Sequence, residues 1–397
     1  MSERRAFSLL CAGTFFHFLA MGVFLSGLPL FVSEELRGSK AAVGLAVGAF
    51  SVTAVLTRPF IGRRVDRVGR VPFLRAAPVL VGLSAVALLG ARSLPVIVAI
   101  RMLQGVAGSS FYTAAATVTT DMAPADSRAG HISRFSLFLY AGFAAGPAVG
   151  EALIEARGYS AAWLFALAAS TVAVSIVWFV PETKPTDLSL EPLVKRRRFV
   201  HPAAVGPGLV LLTVAVGYTA ISSFLPLYAR SIGMQSSGTL YVTFAMTILV
   251  VRLVSGRLAD RLGNVKVALP GLFSGAAGMA VLATVPSPAA AYVGVALFGT
   301  AHALVFPALM SMTVDRVDER ERGEALGSFT ASFDLGAATG GYLVGFIADQ
   351  AGYRAAWALP GVVCLIGAAG LVTMARRSPP AGPHSADTAS PMEPAGA

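Results

Sequence analysis

Charge is scarce in this sequence. Only 13% of its 397 residues are Asp, Glu, Lys or Arg, against about 25% in an ordinary soluble domain. So few charges cannot coat a globule of this size unless lipid covers most of its surface, which excludes a water-soluble enzyme. Cysteine is nearly absent: Cys11 and Cys364 lie in apolar segments near opposite ends and imply neither a disulfide framework nor a thiolate metal site. The Gly-x-Ser-x-Gly, His-Glu-x-x-His, Cys-x-x-Cys and P-loop patterns are missing, so the sequence implies no catalytic residue, metal or cofactor. A net charge of +10 would suit nucleic acid in a soluble chain, but here the basic residues fall in short connections between apolar runs. That distribution encodes membrane topology, and nucleic acid is not an expected partner.

What the sequence has is long apolar runs. A bilayer core takes about 20 helical residues, and twelve segments reach that length: 7 to 32, 42 to 62, 72 to 91, 94 to 119, 131 to 155, 161 to 180, 204 to 229, 238 to 258, 266 to 284, 288 to 312, 325 to 348 and 355 to 375. The fold class expected is an all-α membrane protein of twelve transmembrane helices. The first run is too long for a secretory signal and lacks a small-x-small cleavage site, so it is read as a span. Alternate connections carry 24 of the 31 Lys and Arg residues and the other set six, Arg101 being the one left inside a span. The positive-inside rule then places both termini in the cytoplasm. Arginine outnumbers lysine 27 to 4 and Ala and Gly abound, which suggests a GC-rich bacterial source and its cytoplasmic membrane.

The polar connection between spans six and seven, with Lys195-Arg196-Arg197-Arg198, divides the chain in two. Residues 1–180 form one expected six-helix bundle, 181–203 a cytoplasmic linker, 204–375 a second bundle, and 376–397 a Pro- and Ala-rich tail expected to be disordered. The halves match at an offset of 194: Arg58, Gly62, Asp66 and Gly69 fall on Arg252, Gly256, Asp260 and Gly263, and Ala161-Ala162-Trp163 on Ala355-Ala356-Trp357. Duplicated six-span bundles are a physical basis for carriers that rock about a central site.

Between spans two and three, Gly62-Arg63-Arg64-Val65-Asp66-Arg67-Val68-Gly69-Arg70 reads as a tight basic turn with one acid, and it recurs in degenerate form at Gly256 to Gly263. An acid at the membrane face needs an arginine or a helix N-terminus beside it. With this motif the whole chain resembles a major facilitator superfamily transporter, most closely the bacterial twelve-span drug or metabolite:proton antiporters, in which two pseudo-symmetric six-helix bundles alternate access. The resemblance implies conformational gating by Gly62, Asp66, Gly69 and Arg70, through contacts with the cytoplasmic end of span four, at Asp121, and with the start of span eleven, with Asp260 as the weaker counterpart.

Arg101-Met102-Leu103-Gln104-Gly105 resembles the family's fourth-span motif, where the arginine is linked to proton transfer or substrate binding. By helical spacing, Arg101, Gln104, Gly105, Gly108 and Tyr112 lie on one face of span four. The alternative for Arg101 is a packing arginine bonded to backbone carbonyls. Gly142, Gly146, Pro147 and Gly150 resemble the fifth-span motif of drug:proton antiporters and would form a helix-packing groove. Ser133 and Glu151 replace two of that motif's glycines.

Proton coupling requires a titratable group within the membrane. The candidates are Asp334 in span eleven, whose repeat partner is Tyr140, then His17 in span one, Arg101, and Glu151 near the outer end of span five, within reach of water. Asp334 could instead bond a nearby arginine such as Arg134, and either His17 or His302 could be a neutral residue among aromatics. Many drug antiporters of this family carry a carboxylate in span one, where this chain has His17. For substrate contacts, Arg101, Gln104, Tyr112, Tyr218, Ser222, Phe298, His302 and Phe306 supply the aromatic and sparse polar groups that suit an amphipathic organic compound. The expected activity is export of such a compound by proton antiport, the alternative being uptake of a sugar or other metabolite by symport or uniport. The expected partners are the small-molecule substrate, protons and the lipid bilayer, for a protein acting as a monomer.

Overall fold

A computed structural model describes residues 2–123, 128–184, 200–255, 262–317 and 321–377. Among the described residues every regular element is helical: α1 (Glu3–Glu34), α2 (Lys40–Val68), α3 (Val71–Gly90), α4 (Leu94–Asp121), α5 (Arg128–Arg157), α6 (Tyr159–Val177), α7 (Pro202–Ser231), α8 (Gly238–Ser255), α9 (Asn264–Thr284) and α10 (Pro288–Val314). The last stretch, Arg322–Arg377, is interrupted at Gly352 (φ 75°) and divides into α11 (322–351) and α12 (353–377). All of these stretches are long and apolar enough to cross a membrane. The expected copy of the motif at Gly256 and Asp260, most of the linker and the tail from residue 378 lie outside the described residues.

Local signals set the helix ends. Ser39 and Ser287 cap α2 and α10, their hydroxyls accepting the amide hydrogens of Ala42 and Ala290. Glycines in the left-handed region make the sharp turns between consecutive spans at Gly69 (φ 121°), Gly158 (φ 80°), Gly263 (φ 89°) and Gly352. These four form two pairs 194 residues apart, so the repeat is written in the backbone as well as in the sequence.

The turn expected from Gly62 to Arg70 is shorter than the sequence suggests: α2 continues through Gly62 and Asp66 to Val68, and the turn itself is confined to Gly69 and Arg70. Hydropathy marks where a helix leaves lipid, and nothing between Pro59 and Gly69 obliges it to end there. Arg63, Arg64 and Arg67 are good helix formers in water.

Within the first six helices α1 packs on α5 and α6, and within the last six α7 packs on α11 and α12. Trp163 and Trp357, repeat equivalents, are both fully buried. Trp163 lies against Phe24 and Phe31, and Trp357 meets Tyr228 edge-on. Large apolar side chains on the outside, such as Leu253 (76% exposed) and Val254 (82%), present the surface that lipid would cover. The two groups of six meet through α2 against α11 and α5 against α8, again a repeat-related pair of contacts. On the face opposite the termini this seam is tight: a Cβ on Gly48 would lie 3.1 Å from the Ala338 carbonyl, and one on Gly341 3.2 Å from the Gly48 nitrogen. Lys40 Nζ adds a hydrogen bond to the Ala348 carbonyl at 3.1 Å.

Candidate functional site

At the face bearing the termini, Arg70 ends the turn between α2 and α3 and donates from Nε to Asp121 Oδ2 at 3.1 Å. Thr183 donates to the same oxygen at 2.7 Å. Sequence reasoning missed the residue that organises this corner, Glu182. Its carboxylate accepts from the amides of Arg70 (2.9 Å), Val71 (3.0 Å), Thr183 (3.0 Å) and Lys184 (3.0 Å), capping α3 with a charge of the sign that a helix N-terminus favours. Burial alone would raise the Glu182 pKa, but these four donors outweigh it and hold the carboxyl below its usual range. The one available signal was an acid directly after the proline that closes span six. Asp66, by contrast, is exposed and makes no hydrogen bond or ion pair among the described residues, and a Cβ on Gly62 would meet nothing within 4 Å.

Deeper in the seam, two arginines reach across it. Arg58 Nη2 of α2 pairs with Asp334 Oδ2 of α11 at 2.5 Å, and Arg252 Nη2 of α8 donates to the Tyr140 hydroxyl of α5 at 3.2 Å. Since 58 and 252, like 140 and 334, differ by 194, these are the same contact made twice, once with an acid and once with a phenol. The arginine facing Asp334 is thus Arg58, not Arg134. Arg58 also lies 5.9 Å from the Tyr112 ring, which brings this candidate into the same neighbourhood.

Beside Tyr140 a cleft opens between the two groups of six, walled by Leu25, Phe143, Tyr218, Ser222, Tyr241 and Phe244. Its volume of about 30 Å³ holds water but nothing larger, so in this conformation it is closed to an organic compound. Tyr218 and Ser222, two of the residues considered for substrate contact, line it. Phe298, His302 and Phe306 stand behind that wall: the His302 ring lies 5.2 Å from Tyr218 and 6.2 Å from both Phe244 and Phe306, and Phe298 stacks on Phe244 at 6.3 Å.

Arg101, Gln104 and His17 lie away from the cleft. Arg101 donates to the Ala46 carbonyl (3.3 Å) and to Gln104 Oε1 (2.8 Å), and its guanidinium covers the Phe50 ring at 4.8 Å. Gly108 approaches that same ring, so the polar face of α4 is its packing face on α2. His17 stacks on Phe111 at 3.9 Å, fully buried and without a hydrogen-bond partner among the described residues.

The glycines of α5 let it approach α1 along its backbone: a Cβ on Gly146 would lie 2.5 Å from the Gly22 Cα, and one on Gly150 3.2 Å from the Val23 Cα. The Pro147 carbonyl accepts from Ser26 at 3.2 Å. One helical turn on, Glu151 departs from expectation. It does not reach water but is 2% exposed, and accepts from Ser236 Oγ (2.8 Å), the Ser237 amide (2.6 Å) and the Ser237 hydroxyl. The start of α8 crosses the seam and covers the carboxylate, which distance from the helix end could not reveal. Glu34 adds a second acidic link across the seam, pairing with Arg230 and accepting from the Tyr159 hydroxyl at 2.5 Å.

The arrangement has known counterparts. The profile described as Major Facilitator Superfamily matches residues 10–251 and 208–395. An uncharacterized MFS-type transporter of Salmonella typhimurium is 28% identical over 369 residues, covering 90% of this chain and 93% of that protein. The staphylopine export protein of Staphylococcus aureus is 26% identical over 351 residues, covering 84% and 87%. Among solved structures, a bacterial homolog to the human lysosomal transporter Spinster superposes with a TM-score of 0.77 at 16% identity, covering 96% of this chain and all of the other, which establishes likeness of fold. Twelve spans, the internal repeat and a profile match across nearly the whole chain agree: this multi-pass membrane protein is a secondary transporter belonging to the Major Facilitator Superfamily.

Proposed function

We propose that the protein exports a small amphipathic organic compound from the cytoplasm in exchange for protons, by alternating access in a bacterial cytoplasmic membrane with both termini on the cytoplasmic side. The observation that carries this reading is the Arg58–Asp334 pair, a titratable carboxyl inside the spans that joins one group of six helices to the other. A coupling ion drives a conformational cycle only by binding one state better than another. A proton on Asp334 removes the charge that holds Arg58, and so weakens the conformer in which α2 and α11 are locked together. Outward direction is supported by the exporter among the relatives and by the α5 glycine stripe.

Everted membrane vesicles, acidified inside and followed with a pH-sensitive dye, test this reading against a panel of amphipathic drugs and small sugars. Loss of lumenal protons on adding a compound, absent in Asp334→Asn vesicles, is the expected result. If no compound releases protons, the reading shifts to uptake by symport or uniport, to be followed with radiolabelled compounds in whole cells.

A further inference from the structure

Arg58, Arg101 and Arg252 sit on α2, α4 and α8, and their partners differ. Arg58 has a carboxylate, Asp334. Arg101 has a backbone carbonyl and an amide, on a packing face. Arg252 has no acid among the described residues. One nitrogen reaches the neutral Tyr140 hydroxyl, the guanidinium lies 4.8 Å from that ring, and the buried Nε has no acceptor. A guanidinium does not deprotonate in proteins. A full positive charge therefore stands at the seam, at the edge of the cleft that Tyr140 lines, with no acid paired to it among the described residues.

We propose that the counter-charge arrives with the cargo: Arg252 is an anion-binding subsite, and the transported compound is an amphipathic organic anion with a carboxylate or comparable acid on an aromatic or apolar body. This rests on the reading that an amphipathic compound moves through the cleft. The repeat supplies the argument. Where Arg58 faces the chain's own acid, the equivalent position opposite Arg252 holds Tyr140, which braces the guanidinium without neutralising it. The planar fork is left to accept an acid in bidentate fashion. Phe143, Tyr218, Tyr241 and Phe244 form an aromatic wall for the apolar body.

The test uses the full chain in phosphatidylcholine nanodiscs with no proton gradient, and measures equilibrium binding of three scaffolds, indole, naphthalene and pyrene, each carrying a carboxylate, a carboxamide or an ammonium group. On at least one scaffold the carboxylate should bind about tenfold or more tighter than the amide. Arg252→Gln should bring carboxylate affinity down to that of the amide while leaving the amide unchanged, and Arg252→Lys should keep part of the preference. Equal affinity of acid and amide, a preference that survives Arg252→Gln, or no binding on any scaffold overturns the proposal. In phosphatidylglycerol nanodiscs the preference should persist; its disappearance there would mean that a lipid headgroup holds Arg252, and would equally overturn it. Because no gradient is applied, failure of proton release in vesicles leaves this result standing, and the two readings fail separately.

Discussion

Arg58 and Asp334 form a 2.5 Å ion pair between α2 and α11, and the repeat-equivalent residues Arg252 and Tyr140 meet across the same seam at 3.2 Å without an acid. One duplicated contact has thus been given two chemistries, one that a proton can break and one that it cannot.

Removing one member of the charged pair should cost more than removing both. Asp334→Asn leaves Arg58 partly buried and uncompensated, for a loss of about 3 kcal/mol in folding stability. Adding Arg58→Gln should recover a substantial part of it. Thermal unfolding of the four variants in detergent gives the double-mutant cycle, and additive losses would show that the two side chains do not interact.

The two glycine classes should respond in opposite ways. Gly146→Ala places a Cβ against the Gly22 backbone, which cannot rotate away, and should destabilise the protein by about 1–3 kcal/mol. Gly62→Ala meets nothing within 4 Å and lies within α2, so it should be neutral or stabilising by about 0.5–1 kcal/mol. Melting temperatures of the two variants in one detergent check both.

Asp66→Asn should leave stability within about 0.5 kcal/mol of wild type, because the side chain is exposed and has no partner among the described residues. Its transport rate should nevertheless fall under the gating role that the resemblance implies for this acid in another state of the cycle. A full transport rate in the variant would remove that role.

The Glu182 cap carries a definite pH dependence. Its pKa is held down in the folded protein, so its contribution is complete above the ordinary carboxylate value of about 4.3 and is lost as pH falls through the lower folded value. Amide protection at Arg70 and Val71, measured by hydrogen exchange and corrected for intrinsic rates, should hold at pH 5 and decline only under stronger acid. In Glu182→Ala it should already be reduced at pH 5, and the difference from wild type should vanish under strong acid.

The sequence by itself determined the spans, the duplication and the turns. Hydropathy is a property of consecutive residues, and glycines such as Gly69 and Gly263 act on their own backbone. It also brought Arg70 to Asp121 through a motif, and it placed Tyr218 and Ser222 on one face of α7, a face that the structure turns toward the cleft. Only the tertiary structure decided which residue faces which across the seam. Arg58 opposite Asp334, the α8 start covering Glu151, and Glu182 capping α3 join segments from 85 to 276 residues apart. Such pairings depend on how each helix is rotated and set beside the next, which no local pattern records. The same physics moved His302 and Phe306 behind the cleft wall and Arg101 onto a packing face: a helical face can be read from spacing, but what that face meets is fixed by the bundle around it.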